Sequence, residues 1–322
     1  MVDQARRERL LAVKLVALIR EHWSTGDPQP DSFALGAAAR DAGIGWVLLE
    51  ERQSRGLGPA LAWAVRAGVD QLHVLAAEGT GTIARRAGAF RMPIDVWHVD
   101  DRTLLPAIAE PLLPSPDAPA GHESFATLII QGGATPVIEH GMLIGEVRGL
   151  EVCRVVDDES SGEARLEVGV GQHDREAFQM MHGDVPTVDA LARVVAAVAP
   201  HRQVGAPPHP LNRIGRERAL RALFIDDPGL IGATSVEALP SPLARSNIKD
   251  PYPAVARAII DGLPTTVVVS AGVDLDLVPF ATDARLATGD PTRIVVPARD
   301  AVPVQLEIAA LLHEPMPIVP VG

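Results

Sequence analysis

Short apolar runs that alternate with helical stretches are the strongest constraint on what this chain can become. Gly45 to Glu50, Gln71 to Ala76 and Ile94 to Val99 each have the length of a strand, and residues 60–67 and 82–90 between them read as helices. The first of these helices follows Gly58-Pro59 and stops at Gly68, the placement that suits a helix start and end. Strands alternating with helices predict an α/β sheet with parallel neighbours. A helix over residues 4–23 precedes them, with Leu10, Leu11, Val13, Leu15, Val16, Leu18 and Ile19 on a broad apolar face, and residues 24–31 read as a loop.

Residues 110–122 carry four prolines and mark a linker. The expected organisation is an N-terminal α/β domain over 1–109 and a C-terminal α/β domain over 123–322. In the second domain, strands are predicted near 125–131, 135–139, 148–156, 164–170, 265–270 and 293–296, with an edge strand over 316–321 where Pro317 and Pro320 lack an N–H. Helices are predicted over 175–182, 188–198, 212–224, 253–261, 275–286 and 304–312, while 203–210 and 226–250 read as irregular. The fold class is thus two α/β units with mixed sheets flanked by helices. Strand, helix and strand at 72–75, 82–90 and 95–99 are echoed at 267–270, 275–286 and 293–296, each time followed by an acid, Asp100 or Asp300. That echo fits a divergent internal duplication or two ordinary α/β units.

Composition bounds the function. A chain of 322 residues can bury two cores, and with only 3% aromatic residues Val, Leu, Ile and Ala must fill them. A net charge of -12 speaks against a broad nucleic-acid surface, which rests on neutralised phosphates, although a local basic cleft stays open. The one cysteine, Cys153, excludes an internal disulfide and a multi-cysteine zinc site, and on an apolar run it reads as a buried structural thiol. The first residues lead into an amphipathic helix and not a long apolar signal segment, and no apolar run reaches the length of a membrane span. Location in the cytoplasm, without a membrane partner, is the expectation.

The chemistry-bearing residues fall in two groups. Glu151 and Glu167 lie on neighbouring strand-like runs joined by the turn-like segment 157–162. Paired carboxylates suit Mg²⁺ or Mn²⁺, and His173 would complete such a site as ligand or base. Asp174, next to it, reads equally as the cap of the following helix. The second group is the basic stretch 201–221. Arg202, His209, Arg213 and Arg216 stand out in an acidic chain, and His209 to Arg213 precede a helix, where an anion is favoured. The alternative is a solvated helix face with Glu217 and Asp226 as partners. Asp274, Asp276, Asp283 and Arg285 form a further polar stretch after the strand at 265–270, as a ligand rim or as acids at a helix start. Gly79-Thr80-Gly81 and Gly132-Gly133 lack the residues of a phosphate loop and read as turns, and no Gly-x-Ser-x-Gly elbow is present.

The pattern resembles the PD-(D/E)XK nuclease superfamily, which places an acid at a strand start, a hairpin, a strand bearing Glu-x-Lys, and a helix. In the first half, Leu35 to Ala42 would be the first strand and turn, and Trp46 to Arg52 the second strand, with Glu50 and Arg52 in the places of Glu and Lys. Gly36 then stands at the first acid, which implies an inactive half. In the second half Glu151 and Glu167 match the two acids, but Gly169 replaces the lysine, and the chain has only two lysines, Lys14 and Lys249. Three readings follow: a non-catalytic or regulatory nuclease-like scaffold that binds a protein partner or ligand; a metal-dependent phosphodiesterase or nuclease using Glu151 and Glu167, with Lys249 supplying an amine from a loop; and an α/β protein that binds a small anionic or phosphorylated ligand.

Overall fold

The computed structural model describes residues 2–24, 26–51, 53–158, 161–182, 187–243 and 252–322. Arg52 and Lys249 lie outside the described residues. The chain is α/β, in two compact units. The first comprises Met1–Leu112 with Val273–Leu286 and Ala301–Ile318, and the second Leu113–Gly272 with Ala287–Asp300 and Val319–Gly322. Residues 273–286 and 301–318, which the sequence places after the linker in the C-terminal domain, therefore pack with the N-terminal residues.

The first unit begins with α1 (Val2–His22), β1 (Gln29–Asp31), β2 (Gly36–Asp41) and β3 (Ile44–Leu49), then α2 (Leu57–Ala67), β4 (Gln71–Ala76), α3 (Thr80–Ala87), β5 (Ile94–Asp100) and β6 (Thr103–Pro106). Its sheet follows chain order, β1 to β6. β3, β4 and β5 are parallel, so each step needs a crossover, which α2 and α3 provide. The outer pairs are antiparallel. Leu15, Leu18 and Ile19 of α1 pack with Trp46, Leu48 and Leu75 of the sheet. Although aromatics are scarce, three of the four tryptophans gather about one buried histidine: Trp23, Trp46 and Trp97 have ring centroids 5.0, 5.7 and 6.2 Å from His73.

The second unit starts with α4 (Phe125–Gln131), β7 (Thr135–Glu139), β8 (Met142–Val147), β9 (Leu150–Asp157) and β10 (Ala164–Val168), followed by α5 (Gln172–His182), α6 (Thr187–Val198) and α7 (Arg216–Asp226). β7 to β10 form an antiparallel meander in the order β10-β9-β8-β7. A second sheet holds β11 (Ala233–Leu239), β12 (Ala254–Ile260), β13 (Leu263–Val269), β14 (Thr292–Pro297) and β15 (Ile318–Val321), in chain order. α8 (Leu277–Thr288) falls within the crossover between the parallel β13 and β14, and α9 (Pro303–Ala310) follows β14.

Four expectations are corrected. Residues 125–131 are helical: Phe125, Ala126 and Ile129 turn inward at a spacing of three to four while Ile130 is exposed, and Gly132 and Gly133 end the helix. Residues 254–260 are a strand and not a helix. Ala254, Ala256 and Ala258 share one face of β12, where small side chains make room for Phe224 of α7. Residues 233–239 form β11 rather than an irregular stretch, and residues 29–31 of the expected loop add a short edge strand. β8 was not foreseen. Two of these segments, β8 and β12, adjoin two-residue hairpins whose central residues both have positive φ: His140-Gly141 and Arg148-Gly149 on either side of β8, and Asp261-Gly262 after β12.

At Gly149 the turn also needs the absence of a side chain, because a Cβ there would lie 2.3 Å from the Arg218 carbonyl carbon at the start of α7. With φ at +77° as well, Gly149→Val is expected to cost about 3 kcal/mol or more in urea unfolding; an unchanged midpoint would refute this packing argument. A second expectation concerns His73. Burial lowers its pKa, against the pull of Asp95, so the fold favours the neutral ring. The unfolded chain takes up the proton near about pH 6.5, so stability is complete above that pH and is lost as pH falls below it. Unfolding free energy measured near about pH 7.5 and about pH 5.5 should fall less in His73→Phe than in wild type. Equal losses would exclude His73 as the titrating group.

Candidate functional site

The acid pair is built into the meander. Glu151 is the second residue of β9 and is buried, and Glu167 lies on β10, opposite Arg154 in the ladder. Both carboxylates face guanidinium groups. Arg154 reaches Glu151 at 2.6 Å, and Arg175 of α5 lies 3.2 Å from Glu151 and 3.6 Å from Glu167. Arg165 holds Glu167 at 3.0 Å. Burial lowers the Arg175 pKa, with Arg154 adding to the shift and the two glutamates opposing it. His173 is fully exposed on α5, 3.7 Å from Glu176. Among the described residues, no group of three His, Cys, Asp or Glu side chains is placed to hold a metal. Gly169 is fixed by the backbone: a Cβ would lie 2.8 Å from the Arg175 nitrogen. In the first unit Glu50 pairs with Lys14 of α1 at 3.6 Å, and Gly36 packs so tightly that a Cβ would overlap the Leu48 carbonyl.

The polar stretch after β13 is internal to the first unit. Asp276 and Asp283 bind the buried Arg86, each at 2.8 Å, Asp283 also takes Arg85, and Asp274 takes Arg55. Gly58 donates its N–H to Asp276 and has no room for a side chain against the Leu275 carbonyl. Burial pushes the Asp276 carboxyl up to about 6, with Arg86 opposing. Arg285 donates to the carbonyls of Glu314 and Pro315. These groups are a buried ionic network and not an open rim.

The basic stretch divides. Arg202 is buried and donates to the carbonyls of Arg148, Leu211, Ile214 and Gly215, so its N–H groups tie the loop before α7 to the β8–β9 hairpin. Among the described residues no carboxylate pairs with it; burial lowers its pKa and Arg218 lowers it further, with Glu146 opposing. His209 accepts from the Leu211 N–H and stacks on His201 at 3.8 Å. Arg213 and Arg216 are exposed. Arg216 makes no hydrogen bond or ion pair with the described residues. It lines a cavity of about 270 Å³ together with Arg148, Arg202, Asn212 and Arg299. Arg148 comes from the β8–β9 hairpin, Arg216 from α7, and Arg299 from just beyond β14. Arg148 is shared with Asp226 at 3.0 Å, and among the described residues Arg299 has only its neighbour Asp300, at 3.8 Å. Of the four residues expected to bind an anion, Arg202 and Arg216 line this cavity, whereas His209 and Arg213 do not. Sequence reasoning missed Arg148 and Arg299, which carry no local signal and meet Arg216 only through the fold.

Cys153 is buried, and burial pushes its thiol up to about 12, which leaves it protonated and unreactive. Among the described residues no helix is long and apolar enough to cross a membrane. No family model, curated protein or solved structure matches this chain.

Removing Glu151 leaves Arg175 buried with less compensation, so Glu151→Ala should cost about 3–5 kcal/mol in urea unfolding. Adding Arg175→Met should restore part of that loss, with a coupling above about 1 kcal/mol in the double-mutant cycle. Strictly additive losses would show that the two residues do not act as a pair.

Proposed function

We propose that this chain is a non-catalytic, nuclease-like α/β scaffold whose second unit binds a small anion bearing phosphate or carboxylate. The observation that carries this reading is the cavity of about 270 Å³ lined by Arg148, Arg202, Arg216 and Arg299, with Arg216 free of any partner among the described residues. Arg202 contributes charge without a spare N–H. Arg216, Arg299 and Arg148 have guanidinium donors that suit the oxygens of an anion. The volume lies just below the usual range for drug-sized ligands, about 300–1,000 Å³, which favours a small anion over a nucleotide. A net charge of -12 repels anions at long range, so the recognition is local and short-ranged. The non-catalytic half of the proposal rests on Glu151 and Glu167, whose charges are met by Arg154, Arg165 and Arg175, and on Gly36 and Gly169 at the positions of the acid and the lysine.

Inorganic phosphate and pyrophosphate are expected to raise the melting temperature more than chloride at matched ionic strength, because they bind the folded state. A hydrogen bond to a charged group is worth about 1.5–3 kcal/mol, so Arg216→Ala and Arg299→Ala should each weaken binding about tenfold or more. Arg213→Ala, outside the cavity, should bind like wild type. A shift no larger than that of chloride would overturn the proposal. A Glu151-dependent rise with Mn²⁺ or Mg²⁺ would favour the phosphodiesterase reading in its place.

A further inference from the structure

The first unit holds a larger cavity, about 850 Å³, in the range of small-molecule sites. Its wall is apolar: Phe33 and Leu35 come from the β1–β2 connection, Ala62 and Trp63 from α2, and Val304 from α9. The indole of Trp63 is held in place by a 3.1 Å hydrogen bond from Nε1 to Asp31. This wall is therefore preformed, and an apolar ligand that enters it gives up little further order.

The rim sets the chemistry of that ligand. Glu8 of α1, Asp31 of β1 and Glu307 of α9 line the cavity and are exposed, with Arg66 of α2 as the counter-charge among the lining residues. None of the three carboxylates is in an ion pair with the described residues. Asp31 accepts from Trp63 and from the Ser32 N–H, Glu8 accepts from the Gln4 amide, and Glu307 makes no hydrogen bond or ion pair with the described residues. Three carboxylates against one guanidinium leave the lining net negative, which favours a cation.

We infer that this cavity binds an amphiphilic amine, an apolar body carrying one protonated nitrogen. The body lies against Phe33, Leu35 and Trp63, and the ammonium group sits at the rim beside Glu307 and Asp31. The site is independent of the arginine-lined cavity, since its residues all belong to the first unit.

Isothermal titration calorimetry of the full chain with three probes of similar shape tests it: tryptamine, the neutral tryptophol and the acid indole-3-propionate. Saturable binding of tryptamine is expected, at least about tenfold tighter than that of tryptophol, with indole-3-propionate weakest. Glu307→Gln, an exposed change that leaves the core intact, should remove most of the preference for the amine over the alcohol. Ala62→Trp, which fills the cavity, should abolish binding of all three. The inference is overturned if tryptamine does not bind, if the alcohol or the acid binds as well as the amine, or if Glu307→Gln leaves the preference unchanged. Phosphate titrations on the same variants should match wild type, so failure here and failure of the anion site can be told apart.

Discussion

Buried carboxylates answered by arginines organise the second unit. Glu146 and Glu151 face each other across β8 and β9, and both are buried. Two like charges in register would destabilise the pair of strands. Helices on the sheet resolve the conflict. α7 sends Arg218 and Arg221 to Glu146, and α5 sends Arg175 to Glu151. Burial works against the charge on Arg218, but Glu146 and Glu139 outweigh it and raise its pKa. Removing one partner of such a set leaves a charge buried and unanswered, which is why the two helices and the meander are fixed to each other.

In this arrangement the charges of the most conspicuous acids, Glu151 and Glu167, are already met by arginines. A divalent metal would have to displace guanidinium groups that already satisfy the carboxylates. The same arrangement explains why the basic segment looks misleading as a whole. Arg218 and Arg221 point inward to balance Glu146, Arg202 ties down a loop, and only the remainder faces solvent. Three of the arginines in this segment, Arg202, Arg218 and Arg221, are internal to the fold.

What the sequence reveals follows physical lines. Parallel strands buried on both faces read as unbroken apolar runs, so β4 was legible to the residue, and α2 and α6 nearly so. Hairpins were harder. Asp261-Gly262 is a strong turn signal, yet the alanines of β12 suggested a helix; those alanines are small because Phe224 packs over them. His140 and Arg148 are unusual residues for left-handed backbone, and so β8 stayed hidden between them. In the candidate anion site Arg216 stood out through local charge, whereas Arg148 and Arg299 lie far from it in sequence. The cavity of the first unit is assembled from five separated segments and left no local pattern at all.

The discontinuous first unit has a consequence for synthesis. Arg86 is buried, and its carboxylate partners, Asp276 and Asp283, are made almost 200 residues later. When the first 112 residues leave the ribosome, that guanidinium has no counter-ion and the helix after Asp276 does not yet exist. Domains generally fold in the order they are translated. Here the first unit stays incomplete until residues 273–286 and 301–318 have emerged, so that the unit begun first does not close first.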